Sequence, residues 1–200
     1  MWSKAIHMFY YLILSAVGLF LLIAALLYWR QPSMVFVPFG DIEMTPEMAG
    51  MEYEELFLEV GGSDSVHTWF IEAKSVDGNP QTPVVLFCHG NAGNMSHRVE
   101  TAEMLVSLGA SVLMFDYRGY GRSSGKPTEE NCYGDARAAY DWLLAEKSIA
   151  PETIIIFGRS LGGAVAVDLA SKNVCKGLVV ESSFSSIVDM GKMMFPYLPV

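Results

Sequence analysis

The sequence predicts an α/β fold: a mostly parallel sheet with flanking helices, preceded by one N-terminal transmembrane helix. Three observations predict it. From residue 83 onward, short apolar strand patterns alternate with helical patterns, the rhythm of parallel strands joined by crossover helices. One of them, VVLFC between Pro83 and His89, is an unbroken apolar run, as expected of a strand covered on both faces. Finally, Ala5 to Trp29 carries no formal charge.

The elements follow in order. A helix over Ala5–Trp29 spans roughly 36 Å, enough to cross a bilayer. Tyr10, Tyr11, Tyr28 and Trp29 lie toward its ends, where amphipathic rings prefer the interface. A cleaved signal peptide would have a shorter apolar core and a small-x-small site after it. Leu26 to Pro32 offers no such site, so residues 1–30 read as an uncleaved anchor. Lys4 and the α-amine flank one end and Arg30 the other, a bias that puts the main domain on the non-cytoplasmic side. Residues 31–52 hold Pro32, Pro38, Pro46, Gly40 and Gly50 and read as a linker.

The domain is expected over 53–200. Tyr53–Val60 and Val66–Glu72 read as strands joined through Gly61-Gly62-Ser63-Asp64, a hairpin signal. After the VVLFC strand, a helix is expected from Ser96 to Leu108, with Val99, Ala102, Leu105 and Leu108 as its stripe and Gly109 as its stop. Strand Ser111–Asp116 leads to a glycine-rich loop. Thr128 caps a helix to about Lys147, with Tyr133, Ala136, Tyr140 and Leu143 on one face. Strand Thr153–Phe157, a helix to Ser171 and strand Gly177–Val180 complete the series.

The chemistry sits in the turns, because active residues of such sheets gather at the carboxyl ends of strands. Gly158-Arg159-Ser160-Leu161-Gly162 is G-x-S-x-G between an apolar strand and an apolar helix. That is the setting of a serine nucleophile on a strained turn, where Gly158 and Gly162 supply the small neighbours. A glycine-rich phosphate turn would need G-x-G-x-x-G or Gly-Lys-Ser/Thr, and neither is present here. The N–H of Leu161 opens the next helix. The loop His89-Gly90-Asn91-Ala92-Gly93-Asn94 follows the buried strand, where an oxyanion hole needs its second donor; the N–H of Asn91 is the candidate. In the third loop, Asp116 to Gly121, Arg118 is expected to anchor neighbouring loops. Glu181 ends the last strand and is expected to organise loops there.

HGNAGN, FDYRGYGRSSG, GRSLGG and ESSF stand in this order. Together they resemble the α/β-hydrolase superfamily, in particular its small membrane-anchored "α/β-hydrolase domain-containing" esterases and thioesterases. The resemblance covers residues 53–200. It implies the α/β-hydrolase fold, no cofactor and no metal, and an acyl-enzyme on Ser160 formed from an ester, thioester or amide. It also implies an acid and a histidine base in chain order Ser, Asp, His. No counterpart to either stands between Ser160 and Val200: all four histidines (His7, His67, His89, His97) precede the serine. His97 is the least implausible substitute base, and Glu181 or Asp116 the least implausible displaced acid. The expectation is that the chain is the N-terminal part of a longer hydrolase, with its last visible strand at an open edge. Met193, Met194, Phe195 and Leu198 are candidates for an acyl pocket, with a core helix as the alternative. The competing functions are a non-catalytic binding protein and an acyltransferase on the same fold.

Composition narrows the partners. The net charge is −9, and residues 1–30 hold Lys4, Arg30 and no acid, so the remainder carries −11. No basic patch for nucleic acid is present. A small-molecule or lipid-like acyl substrate, reached from a membrane held by the N-terminal helix, is expected. The three cysteines are widely spaced and form neither a disulfide framework nor a zinc site.

Overall fold

The structure, a computed structural model, describes residues 2–74, 82–194 and 196. It divides into two units: Phe36–Ser186, and Met1–Val35 with Ile187–Val200. In the second of these, helix α1 runs Trp2–Val35, five residues past the predicted end of the anchor. An 18-residue window within its stretch Lys4–Gln31 has a mean hydropathy of 2.5, and the stretch is long and apolar enough to cross a membrane. Helix α5, Ile187–Met194, belongs to the same unit.

The unit Phe36–Ser186 is built on strands β1 (Glu54–Val60), β2 (Asp64–Ile71), β3 (Val84–Cys88), β4 (Ser111–Phe115), β5 (Ile154–Arg159) and β6 (Gly177–Glu181). They form one sheet in the order β1-β2-β4-β3-β5-β6. β1 and β2 pair antiparallel through the predicted hairpin, and β2 pairs antiparallel with β4. The β4-β3-β5-β6 pairs are all parallel. Helices α2 (Val99–Ser107), α3 (Glu129–Ala145) and α4 (Leu161–Lys172) connect the parallel strands.

Every residue of β3 and β4 is buried, which explains their unbroken apolar runs. Alternation along the strands divides the core. Val85, Phe87, Val112, Met114, Trp69, Ile71 and Phe157 cluster with Val99 and Ala102 of α2. The intervening Leu86 and Leu113, with Ala136, Ala139 and Leu143 of α3, are also buried. Cys88 and Cys132 are buried free thiols, and burial pushes Cys132 up to about 12, so both act as small core residues.

Local chemistry sets the element ends. Thr128 Oγ1 accepts from Asn131 N–H at 3.1 Å, the predicted cap of α3. Gly109, at φ 84°, turns the chain out of α2. The stripe of α2 is shorter than predicted. Val99 and Ala102 are buried, but Leu108 is 75% exposed, because it is the C-cap, beyond the last helical turn. Its first turn, Met95–Arg98, is 3-10 rather than α-helical. β5 begins one residue later than predicted and extends to Arg159.

The linker expectation is the largest correction. Residues 36–51 form a strap fastened to the domain. Phe36 is buried, and Ile42, Met44, Ala49 and Met51 pack on the α2 cluster. Asn94 holds the strap from below. Its side-chain amide donates to Phe39 O at 3.0 Å and Asp41 O at 2.6 Å. Its Oδ1 accepts from Ser96 N–H and Ser96 Oγ–H, and Ser96 Oγ in turn accepts from Glu43 N–H at 3.1 Å. Prolines and glycines suggest a linker, but Val37 N–H, Phe39 O, Asp41 O and Glu43 N–H are bonded to the domain.

Replacing Asn94 with Ala removes this clamp; Asp41 O loses the donor described here, while Phe39 O keeps Gly121 N–H. The expected cost is about 2–4 kcal/mol, read as a lower unfolding midpoint together with faster proteolysis within residues 36–50.

Candidate active site

Ser160 stands between β5 and α4 at φ 52° and ψ −116°. A non-glycine residue there carries about 1–3 kcal/mol of strain and persists only where its surroundings over-determine it. Here they do. Ser160 N–H donates to Glu181 O at 2.9 Å. Ser160 O accepts from Gly163 N–H at 2.9 Å and from the Ser183 hydroxyl at 2.9 Å. A Cβ on Gly158 would overlap Gly162 O, and one on Gly162 would overlap Cys88 O. The two glycines therefore let helix α4 sit against β5 and β3, as their spacing predicts. Leu161 is the first residue of α4, where backbone N–H groups have no acceptor within the helix.

The loop after β3 reaches the same place. A Cβ on Gly90 would lie 3.3 Å from Ser160 Cβ, so Gly90 lets the loop approach the serine. His89 Nδ1–H donates to Gly90 O at 2.7 Å, and His89 O accepts from Tyr117 Oη–H at 2.9 Å. Asn91 Oδ1 accepts from Tyr120 Oη–H at 2.7 Å and from Val37 N–H at 3.0 Å. The side chain of Asn91 is thus a fixing point for the loop.

A buried carboxylate underlies this arrangement. Asp116 Oδ1 accepts from Met95 N–H at 2.6 Å. His89 Nε2 lies 3.4 Å from Oδ1, and His67 Nδ1 3.8 Å from Oδ2. Burial opposes ionisation of Asp116, but the His67 and His89 rings and the Met95 N–H outweigh it and hold the carboxyl below its ordinary value.

Each of the candidate substitutes is engaged elsewhere among the described residues. His97 Nδ1 accepts from Asn94 N–H at 3.0 Å, closing a capping box. His67 Nε2 meets Glu55 Oε1 at 2.7 Å. No histidine among the described residues is hydrogen-bonded to Ser160 Oγ. Glu181 Oε2 accepts from Arg159 Nε–H at 2.8 Å, beside the serine turn.

Arg118 anchors differently from the expectation. Its N–H and Nε–H donate to the two oxygens of Asp135 at 2.8 and 2.7 Å, and its Nη2 to Asn131 O at 3.1 Å. It therefore ties its loop to helix α3 rather than to neighbouring loops. Burial pushes the Asp135 carboxyl up to about 6 despite this partner. Met193 is 83% exposed, which does not suit an acyl pocket; Phe195, Leu198 and the side chain of Met194 lie outside the described residues. Among the described residues no cluster of His, Cys, Asp or Glu is arranged for a metal ion.

Sequence reasoning missed Tyr117, Tyr120 and the strap. The two tyrosines sit in the glycine-rich loop that was read as a structural turn. Their fully buried rings were the available signal, since a buried phenol needs a partner.

Comparison with known proteins gives the same picture. Residues 83–199 match the family described as "alpha/beta hydrolase fold". The chain is 36% identical over 182 residues to the alpha/beta hydrolase domain-containing protein WAV2 of Arabidopsis thaliana, covering 87% of this chain and 58% of WAV2. It is 40% identical over 129 residues to the lysophosphatidylserine lipase ABHD12 of Danio rerio, covering 58% of this chain and 33% of that one. It is 32% identical over 157 residues to the uncharacterized membrane protein YNL320W of Saccharomyces cerevisiae, covering 77% of this chain and 54% of that one. The chain thus spans about a third to three fifths of these relatives. The esterase Pf2001 of Pyrococcus furiosus shares the fold, with a TM-score of 0.65, 24% identity and coverage of 82% of this chain and 64% of that one.

Two outcomes test the scaffold. Gly162→Ala forces Cβ into Cys88 O and is expected to cost more than about 3 kcal/mol or prevent folding, read by unfolding in detergent. Arg118→Ala takes the guanidinium from the buried Asp135 but leaves it the backbone N–H of residue 118, and is expected to cost about 1.5–3 kcal/mol at neutral pH. The Asp135 contribution also has a pH signature. Its folded-state value lies above the ordinary 3.8, so its stabilisation is full below 3.8 and is lost as pH rises through about 6. Asp135→Asn should flatten the stability profile in that window.

Proposed function

Because the chain belongs to the α/β-hydrolase family, we propose that it is a membrane-anchored serine hydrolase that cleaves acyl esters or thioesters through an acyl-enzyme on Ser160. The observation that carries the reading is Ser160 itself. It is held at positive φ on the strand-to-helix turn, with the loop after β3 packed against it.

In this reading Ser160 Oγ attacks the substrate carbonyl carbon and gives its proton to a histidine base. That base lies outside the described residues. The carbonyl oxygen becomes an oxyanion and is received by the N–H groups of Leu161 and Asn91. The tetrahedral intermediate collapses, the alcohol or thiol leaves with the proton, and water then releases the acid by the same steps. Leu161 supplies its donor from a helix N-terminus, where negative charge is favoured. Asn91 supplies its donor from a loop held by Tyr120 and Val37. Such preorganised donors cost no rearrangement when charge develops.

Helix α1 supports a single-pass anchor, and the charge bias at its ends supports placing the domain on the non-cytoplasmic side. A relative that acts on a lysophospholipid supports a lipid-like acyl substrate.

The test is the protein recovered from its own membrane. A fluorophosphonate probe is expected to label Ser160, and Ser160→Ala to abolish labelling and lower ester hydrolysis by at least about a thousandfold. Equal hydrolysis by Ser160→Ala overturns the assignment. No labelling and no hydrolysis in the unaltered protein favours the binding-protein reading.

A further inference from the structure

We propose that Val37 and Phe39 form an acyl-chain lip beside the oxyanion loop, a binding site for the apolar tail of a long-chain substrate. The identity of the ligand rests on the hydrolase reading above.

The first argument is position. Gly90 abuts Ser160, and the next residue, Asn91, accepts the N–H of Val37. Pro38 pairs with Gly93 in an isolated parallel bridge. Residues 37 and 39 flank that bridge, and an extended segment sends i and i+2 side chains to one face. The strap therefore borders the loop that would hold the reacting carbonyl.

The second argument is exposure on a fixed backbone. Val37 is 50% exposed and Phe39 45%. Single exposed apolar residues are ordinary. These two differ because the main chain beneath them is pinned: Phe39 O accepts from Asn94 Nδ2–H and from Gly121 N–H at 2.9 Å. The Phe39 ring also meets the His97 ring edge-on at 5.8 Å. A rigid apolar surface loses little entropy when a ligand covers it.

The third argument selects the occupant. A peptide adding to the strap as a strand would need its main-chain groups. Val37 N–H and Phe39 O are already bonded within the domain and Pro38 between them has no N–H to donate, so the strap is a poor partner for an added strand and what it chiefly offers is its apolar side chains. A saturated or unsaturated hydrocarbon chain fits that offer. The strap also follows directly in sequence the helix that is long and apolar enough to cross a membrane, which under the anchored reading above favours a lipid-like ligand.

The experiment uses a lysophospholipid carrying a diazirine near the end of its acyl chain, added to the Ser160→Ala protein so that nothing is hydrolysed. After irradiation and digestion, adducts are expected on Val37 or Phe39, and they should disappear with excess unmodified lysophospholipid. Adducts confined to α1, or absent from the strap, overturn the proposal. A second measurement uses the unaltered Ser160. Val37→Ser with Phe39→Ser keeps the backbone bonds. It should lower the ratio of kcat/KM for a hexadecanoyl ester over an acetyl ester by about tenfold per side chain. An unchanged ratio, with both esters affected alike, assigns the strap a purely structural role. If the unaltered protein cleaves neither ester, the hydrolase reading fails, while the cross-linking result still decides the lip.

Discussion

Ser160 keeps its strained backbone only because its neighbours lack side chains where α4, β5 and β3 converge. That close approach is the constraint from which the rest of the site follows. Gly158 and Gly162 leave no room for a Cβ between the strand, the helix and the carbonyls at the end of β3. With the helix so close, the loop after β3 reaches the serine turn, where a Cβ on Gly90 would lie 3.3 Å from Ser160 Cβ. Hydrogen bonds with Gly163, Ser183 and Glu181 then fix the turn. The strain of about 1–3 kcal/mol is small beside the burial of the strands that enforce it.

A second layer holds the loops. Asp116 follows β4 and reaches Met95 at the start of the helical segment after β3. Tyr117 bonds the carbonyl of His89, and Tyr120 bonds the side chain of Asn91. The glycine-rich segment that follows β4 thus supports the loop that follows β3, its parallel neighbour. Parallel pairing makes this possible, because it brings both carboxyl ends to one side of the sheet. Arg118 completes the support by fixing the same segment to α3 through a buried carboxylate.

The sheet and the serine turn were legible in the sequence because their signals are local. VVLFC needs burial on both faces, and G-x-S-x-G needs small residues at two fixed offsets. Thr128 and Gly109 mark helix ends by their own chemistry. The strap was not legible. Its prolines and glycines favour turns, and nothing local shows that Asn94, more than fifty residues away, satisfies its carbonyls. Leu108 misled for a related reason: the apolar period continued one residue past the last turn that packs. Hydrogen bonds between distant segments leave no periodic trace, and these are what make residues 36–51 part of the domain.

The histidines show how far the site is complete. Each histidine of the folded unit already has a partner: His67 a carboxylate on β1, His89 the carbonyl of Gly90, His97 the backbone of Asn94. Taking any of them to Ser160 would break a bond that holds the oxyanion loop or the hairpin. The proposed chemistry needs a proton acceptor that none of these histidines supplies in the geometry described. β6 lies at the sheet edge, and Leu178, Val179 and Val180 are 42%, 44% and 46% exposed. β6 carries the same kind of apolar side chains as buried β3 but leaves them half-exposed at the edge beside the serine turn, so this is where the sheet has apolar surface left to cover.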